Sequence, residues 1–292
     1  MLRRPTLDMP MSQLAAWSAR LAWFALVVAL LSILIVRSGV LEVLPALATF
    51  GGALVCAALA VLAGLASFVT IWRQGLRGLG RSLTGMVIGA GLLAYPGYLG
   101  YRAYQLPPLT DISTDMVNPP RFDKLAAQRP ADRNTYPAAT AAGQQAAYPD
   151  LGPLQEEANT NLAYQAALDV VTKRRWQLID ARPPAPPRRE GSIEATARTL
   201  IMGFREDVVI RITPFGNGSR IDVRSASRFG PSDIGSNAAR VRALLEDIED
   251  KLTGEEAEPQ PPPAPGPQLK KAPQPAKKPA PPPPKKPAPK RG

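Results

Sequence analysis

Three long apolar runs fill the first hundred residues, and the charged residues between them are almost all arginine. The first run, residues 21–36, lies between Arg20 and Arg37 and holds no charge. A hydrocarbon core about 30 Å thick needs roughly 20 apolar residues per helix, and flanking arginines snorkel outward to extend a short run. The second run, residues 43–71, is charge-free and long enough to cross with tilt. The third, residues 83–101, carries several glycines and Pro96, which membrane helices tolerate when neighbouring helices satisfy the freed backbone groups. The pattern predicts three spans. Ala46-Leu47-Ala48 loosely resembles a signal-peptide cleavage site, but Arg37 and Glu42 interrupt the approach to it, and cleavage there would cut into the second run.

Short loops keep Lys and Arg on the cytoplasmic side. Arg3, Arg4 and Arg20 mark the amino terminus, and Arg73, Arg77 and Arg81 mark the second loop, whereas the first loop has only Arg37, opposed by Glu42. The amino terminus is therefore expected inside, and an odd number of spans exports everything after Tyr104. Tyr95, Tyr98, Tyr101 and Tyr104 suit an aromatic belt at that outer interface. Gly85 and Gly89 are spaced for close helix approach, either at a dimer face or within the protein's own bundle.

Beyond the spans the period changes. Leu162, Ala166, Val170 and their neighbours Leu168 and Val171 form a helical stripe over residues 161–174, after which Pro183, Pro184, Pro186 and Pro187 argue against regular structure. Residues 193–198, 208–213 and 220–224 alternate apolar with polar positions, residues 176–181 are a further strand candidate, and Asn217-Gly218 signals a hairpin. A closing helix over about 233–252 places Val241, Leu244, Leu245, Ile248 and Leu252 on one face. The fold class expected is α+β: three amino-terminal transmembrane helices, then an antiparallel sheet of about four strands with helices on one face and the other face wet. The domains read as a membrane region (1–104), an extracytoplasmic α+β domain (105–254) and a tail (255–292).

Composition narrows the chemistry. The 292 residues include no histidine and one cysteine, Cys56, within the second run. An intrachain disulfide, a Cys/His zinc site and a Ser-His-Asp or Cys-His nucleophile are excluded. No catalytic residues, metal or cofactor are expected, although paired carboxylates or a Lys or Tyr base remain open to acid/base work. The net charge is +11, and Lys270, Lys271, Lys277, Lys278, Lys285, Lys286, Lys290 and Arg291 in the proline-rich tail supply eight of it. Such a tail is expected to be disordered and polyproline-like. Its expected contacts are anionic envelope polymers or lipid head groups, or none if it is a spacer; nucleic acid is not expected outside the cytoplasm.

Two clusters are candidate ligand sites. Alternation projects Arg198, Arg211, Arg220 and Arg224 from the wet sheet face, relieved by Glu194 and Asp222, either as an anion platform or as cross-strand ion pairs. At the entry to the last helix, Asp233, Asn237 and Arg240 share a face that Arg228 could meet, either as a capped turn or as a polar pocket.

Four segments in order, 111–122 (DISTDMVNPPRF), 193–198 (IEATAR), 203–211 (GFREDVVIR) and 227–240 (SRFGPSDIGSNAAR), resemble the bacterial family catalogued as domain of unknown function 1499. The resemblance covers about residues 106–252 and implies membrane attachment but no assigned activity. It marks Asp111, Asp115, Asp207, Arg211, Arg228, Asp233, Asn237 and Arg240 as matching positions without giving any a role. The expected function is a membrane-anchored envelope protein with a non-enzymatic binding or scaffolding domain and other envelope proteins among its partners; the alternative is an enzyme or small-ligand carrier using the polar pocket of Asp233, Asn237 and Arg240 at the start of the last helix, with Asp111 or Asp115 nearby. The candidate ligand-binding residues are thus Arg211, Arg228, Asp233, Asn237, Arg240, Asp111 and Asp115.

Overall fold

The structure, a computed structural model, describes residues 10–39, 43–129, 131–187 and 189–257. Arg3 and Arg4, Glu42 in the first loop and the cationic tail beyond residue 257 lie outside the described residues. Helices α1 (Gln13–Ser38), α2 (Val43–Gln74) and α3 (Leu79–Gln105) are each long and apolar enough to cross a membrane. At 1.5 Å per residue even α1 reaches about 39 Å, more than a bilayer core needs.

What packs these helices is small side chains. In α1 the buried positions are Ala15, Ser18, Ala22, Ala25, Ala29, Ser32 and Val36, spaced by three and four; in α2 they are Ala46, Ala53, Ala57, Ala60, Gly64 and Ser67. The bulky residues, Trp23, Phe24, Leu34 and Val87 among them, face outward. This inverts the pattern of a water-soluble bundle, because in lipid close backbone approach and interhelical hydrogen bonds, not burial of large apolar groups, hold helices together. Ser18 Oγ donates to the Ala60 carbonyl at 2.7 Å, and Ser82 Oγ to the Gly64 carbonyl at 2.8 Å. Gly85 lies against the Ser18 backbone and Gly89 against the Ala57 carbonyl, so the small-residue pair serves this chain's own bundle.

The remaining elements form one antiparallel sheet in the order β1 (Asp111–Ser113), β6 (Gly218–Ser227), β5 (Arg205–Phe215), β4 (Glu190–Arg198) and β3 (Gln177–Ala185), with β2 (Leu154–Glu156) also on the outer edge of β6. There are six strands, not about four. The two extra ones are three residues each, too short to show alternation. Strand β3 runs through Pro183 and Pro184, contrary to the expectation that the prolines end regular structure. It is an edge strand whose pairing with β4 shifts between Arg182 and Ala185, so the missing N–H groups cost no ladder bond there. Gly216 takes the positive φ (+56°) required beside Asn217 in the β5–β6 hairpin.

Helices α5 (Thr160–Lys173) and α6 (Ser236–Ala257) cover one face. Ala163, Ala167, Val170 and Val171 of α5 and Val241, Leu244, Ile248 and Leu252 of α6 meet Ile193, Val208, Ile210, Ile212, Ile221 and Val223 in a continuous apolar core. The opposite face is not wet. The connection between β1 and α4 (Ala138–Ala147) crosses it, seating Phe122, and Leu125 at the start of a 3-10 turn, on Val209 and Ala226. Alternation identifies the two faces of a sheet but carries no information on a covering segment that has no period of its own.

Candidate functional site

The covered face holds the side chains that alternation set aside as polar, and they become buried pairs. Asp207, with no exposure, accepts from Arg129 Nη1 at 2.7 Å, from Arg228 Nε and Nη2 at 2.7 Å each and from Thr196 Oγ1 at 2.9 Å. Arg224 forks onto both oxygens of Asp111 at 3.0 and 2.7 Å, donates to the Pro120 and Asn134 carbonyls, and lies over the rings of Phe122 and Tyr136. Glu194, also fully buried, accepts the backbone N–H groups of Asp123, Lys124 and Leu125 at 2.7, 3.3 and 2.7 Å and so ties the crossing segment down. Burial lowers the Arg129 guanidinium, against the opposing pull of Asp207, and pushes the Tyr136 phenol up to about 12, with Asp111 adding to the shift.

Between the crossing segment and the 182–192 end of the sheet, a cavity of about 910 Å³ opens, lined by Asn118–Arg121 on one side and by Arg182, Glu190, Arg211 and Arg220 on the other. Its floor is a lattice in which Arg211 Nη2 bonds Asp115 Oδ2 and Asp222 Oδ2 at 3.0 Å each. Arg220 bonds the same two carboxylates, at 3.2 Å to Asp115 Oδ2 and 3.0 Å to Asp222 through both Nε and Nη2. The Asp222 hydrogen bond raises Arg220 further above its usual value. Asp115 is held by its own turn, accepting from the Val117 and Asn118 N–H groups. Arg211 Nε is buried with no protein partner. Arg182, paired with Asp123, closes one side, and Pro119, Pro120, Pro183 and Pro187 supply rigid walls. Of the anticipated platform, Arg211 and Arg220 thus line the cavity as ion pairs, Arg224 is buried, and Arg198 is exposed at the far end of β4.

The cluster at the start of α6 is packed. Asp233 accepts from Gly235 N–H at 2.8 Å and Asn237 N–H at 3.1 Å, closing a turn in which Ile234 and Gly235 both have positive φ. Asn237, fully buried, links Ser225 Oγ, Ser227 Oγ and the Thr110 carbonyl. Arg240 pairs with Glu206 and donates to Ser225 Oγ and Asn237 Oδ1. Each polar atom that would line a pocket here is engaged within the protein, so the capped-turn reading fits the geometry and the ligand-pocket alternative is not favoured. The seven candidate residues accordingly separate: Asp115 and Arg211 meet in the cavity, Asp111 and Arg228 join the buried pairs, and Asp233, Asn237 and Arg240 form the cap.

Desolvation raises the Asp233 carboxyl, outweighing the backbone N–H groups that favour its charged form. An acid raised in the folded state contributes stability below its unfolded value, and that contribution is lost as pH climbs through the folded value. Asp233→Asn keeps an acceptor and removes the titration. Thermal midpoints of wild type are expected to fall relative to Asp233→Asn as pH rises from about 3 to about 7; a constant difference would refute the assignment.

Residues 111–248 match the family model described as Protein of unknown function (DUF1499). This segment is a DUF1499 domain. No curated protein matches the chain. Two solved structures overlap part of it: TTHA0849 from Thermus thermophilus is 11% identical over 36% of this chain and 96% of its own, with a TM-score of 0.21. CalU16 from Micromonospora echinospora is 13% identical over 36% of this chain and 83% of its own, with a TM-score of 0.22.

The matched DUF1499 segment begins at β1 and ends inside α6, so it contains the sheet, the crossing segment, the buried pairs and the cavity, and excludes the three apolar helices. Arg129 and Glu206, which complete the pairs of Asp207 and Arg240, went unflagged in the sequence. Arg129 lies in a proline- and alanine-rich stretch without periodicity, and only the fold brings it under β6.

Proposed function

We propose that the chain is a bacterial inner-membrane protein with three spans, its amino terminus in the cytoplasm, and its DUF1499 domain on the extracytoplasmic side working as a non-enzymatic binding or scaffolding module. The orientation is supported by how arginines sort between the bundle ends. Ser12 N–H donates to the Arg77 carbonyl at 2.9 Å and Arg77 N–H to the Pro10 carbonyl at 3.1 Å, which joins the amino-terminal segment to the turn that carries Arg73, Arg77 and Arg81. The other end holds Arg37, Arg102 and the domain. The end richer in short-loop arginines belongs in the cytoplasm.

One observation carries the binding reading: the arginine–carboxylate lattice stays partly exposed in an open cavity, whereas the polar cluster at α6 is consumed by packing. Side-chain exposure is 15% for Arg211 and Asp115 and 28% for Arg220. Four arginines and four carboxylates line the cavity, so it carries no net charge and recognises by directed hydrogen bonds, leaving contact with anionic envelope polymers to the tail. Asp115 and Asp222 on its floor are each held by two guanidiniums.

The test uses the full chain in lipid nanodiscs, with isolated peptidoglycan sacculi and detergent-solubilised envelope proteins as probes at low salt. Retention is expected to fall severalfold in Arg220→Ala and, separately, to lose its salt sensitivity in a chain ending at residue 257. Equal retention of Arg220→Ala and wild type, or no retention of either, would overturn the cavity's role.

A further inference from the structure

The two ends of the sheet differ in a way that the binding reading does not use. The far hairpin, between β5 and β6, turns through Gly216 and Asn217. The hairpin between β4 and β5, about ten residues or roughly 33 Å away along β5, turns instead through Leu200, Ile201 and Met202, and the Leu200 side chain is 90% exposed. Ile201 and Met202 are half-buried; three consecutive apolar residues at a hairpin tip with its leading side chain in water are unfavourable, since such turns favour Asn, Asp and Gly.

This tip sits at the end of α1. Arg37, two residues before that helix's Gly39 cap, donates through Nη1 to the Leu200 and Ile201 carbonyls at 2.7 and 3.2 Å, and Arg198 Nη1 donates back to the Arg37 carbonyl at 3.1 Å. Gly203 lies against the Arg37 side chain, where a Cβ would stand 3.0 Å from Arg37 Cγ. The tip is thereby fixed at the level where the first apolar helix ends, which is the level of the membrane interface.

Charge around the tip fits the same surroundings. Arg198 and Arg205 are directly opposed partners at the last rung of the β4–β5 ladder, and like charges in that position repel. Both are exposed, as is Arg37, and among the described residues none of the three is paired with a carboxylate. A layer of lipid phosphates supplies the missing counter-charge, with the apolar turn below it and the guanidiniums at phosphate height.

We infer that the β4–β5 hairpin is a membrane foot: Leu200, Ile201 and Met202 enter the interfacial region of the same bilayer that α1–α3 span, and Arg37, Arg198 and Arg205 engage lipid phosphates. The partner is the lipid surface. The consequence is that the DUF1499 domain stands on the bilayer with the sheet's far hairpin pointing away.

The experiment places an environment-sensitive fluorophore on Leu200→Cys or, as the distal control, Asn217→Cys, each in a Cys56→Ser background. The full chain is reconstituted in vesicles of phosphatidylcholine with or without phosphatidylglycerol. Position 200 is expected to show blue-shifted emission and severalfold stronger quenching by lipid-borne nitroxides than position 217, while position 217 is quenched by aqueous iodide. Adding phosphatidylglycerol should deepen the label at 200, and Arg198→Gln with Arg205→Gln should abolish that response. Iodide quenching at 200 equal to that at 217 would overturn the inference, and so would shielding of 200 from both quenchers, which would mean that the tip is buried against protein. Because the readout is depth, it is independent of whether the cavity binds anything.

Discussion

Asp207→Ala is expected to cost the DUF1499 domain about 3–5 kcal/mol, the range for removing one partner of a buried ion pair. The side chains of Asp207 and Arg129 are 0% and 1% exposed, and Arg228, at 13%, forks onto the same carboxylate. Removing the carboxylate leaves two guanidiniums and the Thr196 hydroxyl facing a void that bulk solvent does not reach. The loss is much larger than for an exposed pair such as Arg242–Asp150, where solvent takes over and the median contribution is about 0–1 kcal/mol. A drop in thermal midpoint of roughly 10 °C is expected. The triple replacement Asp207→Leu with Arg129→Met and Arg228→Met should recover a large part of that loss, since apolar groups of similar volume carry no desolvation penalty and no guanidinium is left unpaired. A change in Asp207→Ala no larger than that in Asp150→Ala would show that Asp207 is solvated in solution.

Gly85→Leu is expected to break the helical bundle. A Cβ at position 85 would lie 2.6 Å from the Ser18 carbonyl carbon and 2.8 Å from its oxygen, and backbone cannot rotate aside. Helices α1 and α3 would have to part by close to an ångström for the Cβ alone, which also strains the Ser18 hydroxyl bond to the Ala60 carbonyl. Overpacking of this kind costs more than about 3 kcal/mol when the obstacle is main chain. Gly91→Leu, on the same helix with nothing within 4 Å of its Cβ position, is the control and should be neutral or mildly favourable to helix formation. Heat-induced aggregation in detergent reads both. Equal midpoints for the two variants would mean that α1 and α3 do not approach as closely as described.

The outcomes depend on features of unequal visibility in the sequence. Helices α1 to α3 were readable because the requirement for an uninterrupted apolar length acts on every residue of a span. The β4–β6 meander and helices α5 and α6 were readable because each buries one face, which forces a period of two or of 3.6 on the side chains. The candidate site was readable only in part. Asp115 and Arg211 were both marked, but their meeting depends on the turn at 115–118 folding back over β5. Arg129, Glu206 and the tie that Glu194 makes to the crossing segment gave no signal, since groups that pair across 34 to 78 residues of chain leave no local spacing behind.

By itself, then, the order of residues determined the three apolar helices, the antiparallel sheet and its helix-covered face, and the lack of histidine-based chemistry, all consequences of local period or of composition. The tertiary structure alone decided that the second sheet face is roofed by an aperiodic segment, that its charges become buried pairs instead of a wet platform, that Asp233, Asn237 and Arg240 are spent on a cap, and that an open cavity survives beside β3. Those outcomes turn on which distant groups come within about 3 Å in a water-poor space, where an ionised side chain must find a partner; such pairing is a property of the assembled fold and not of any stretch of chain.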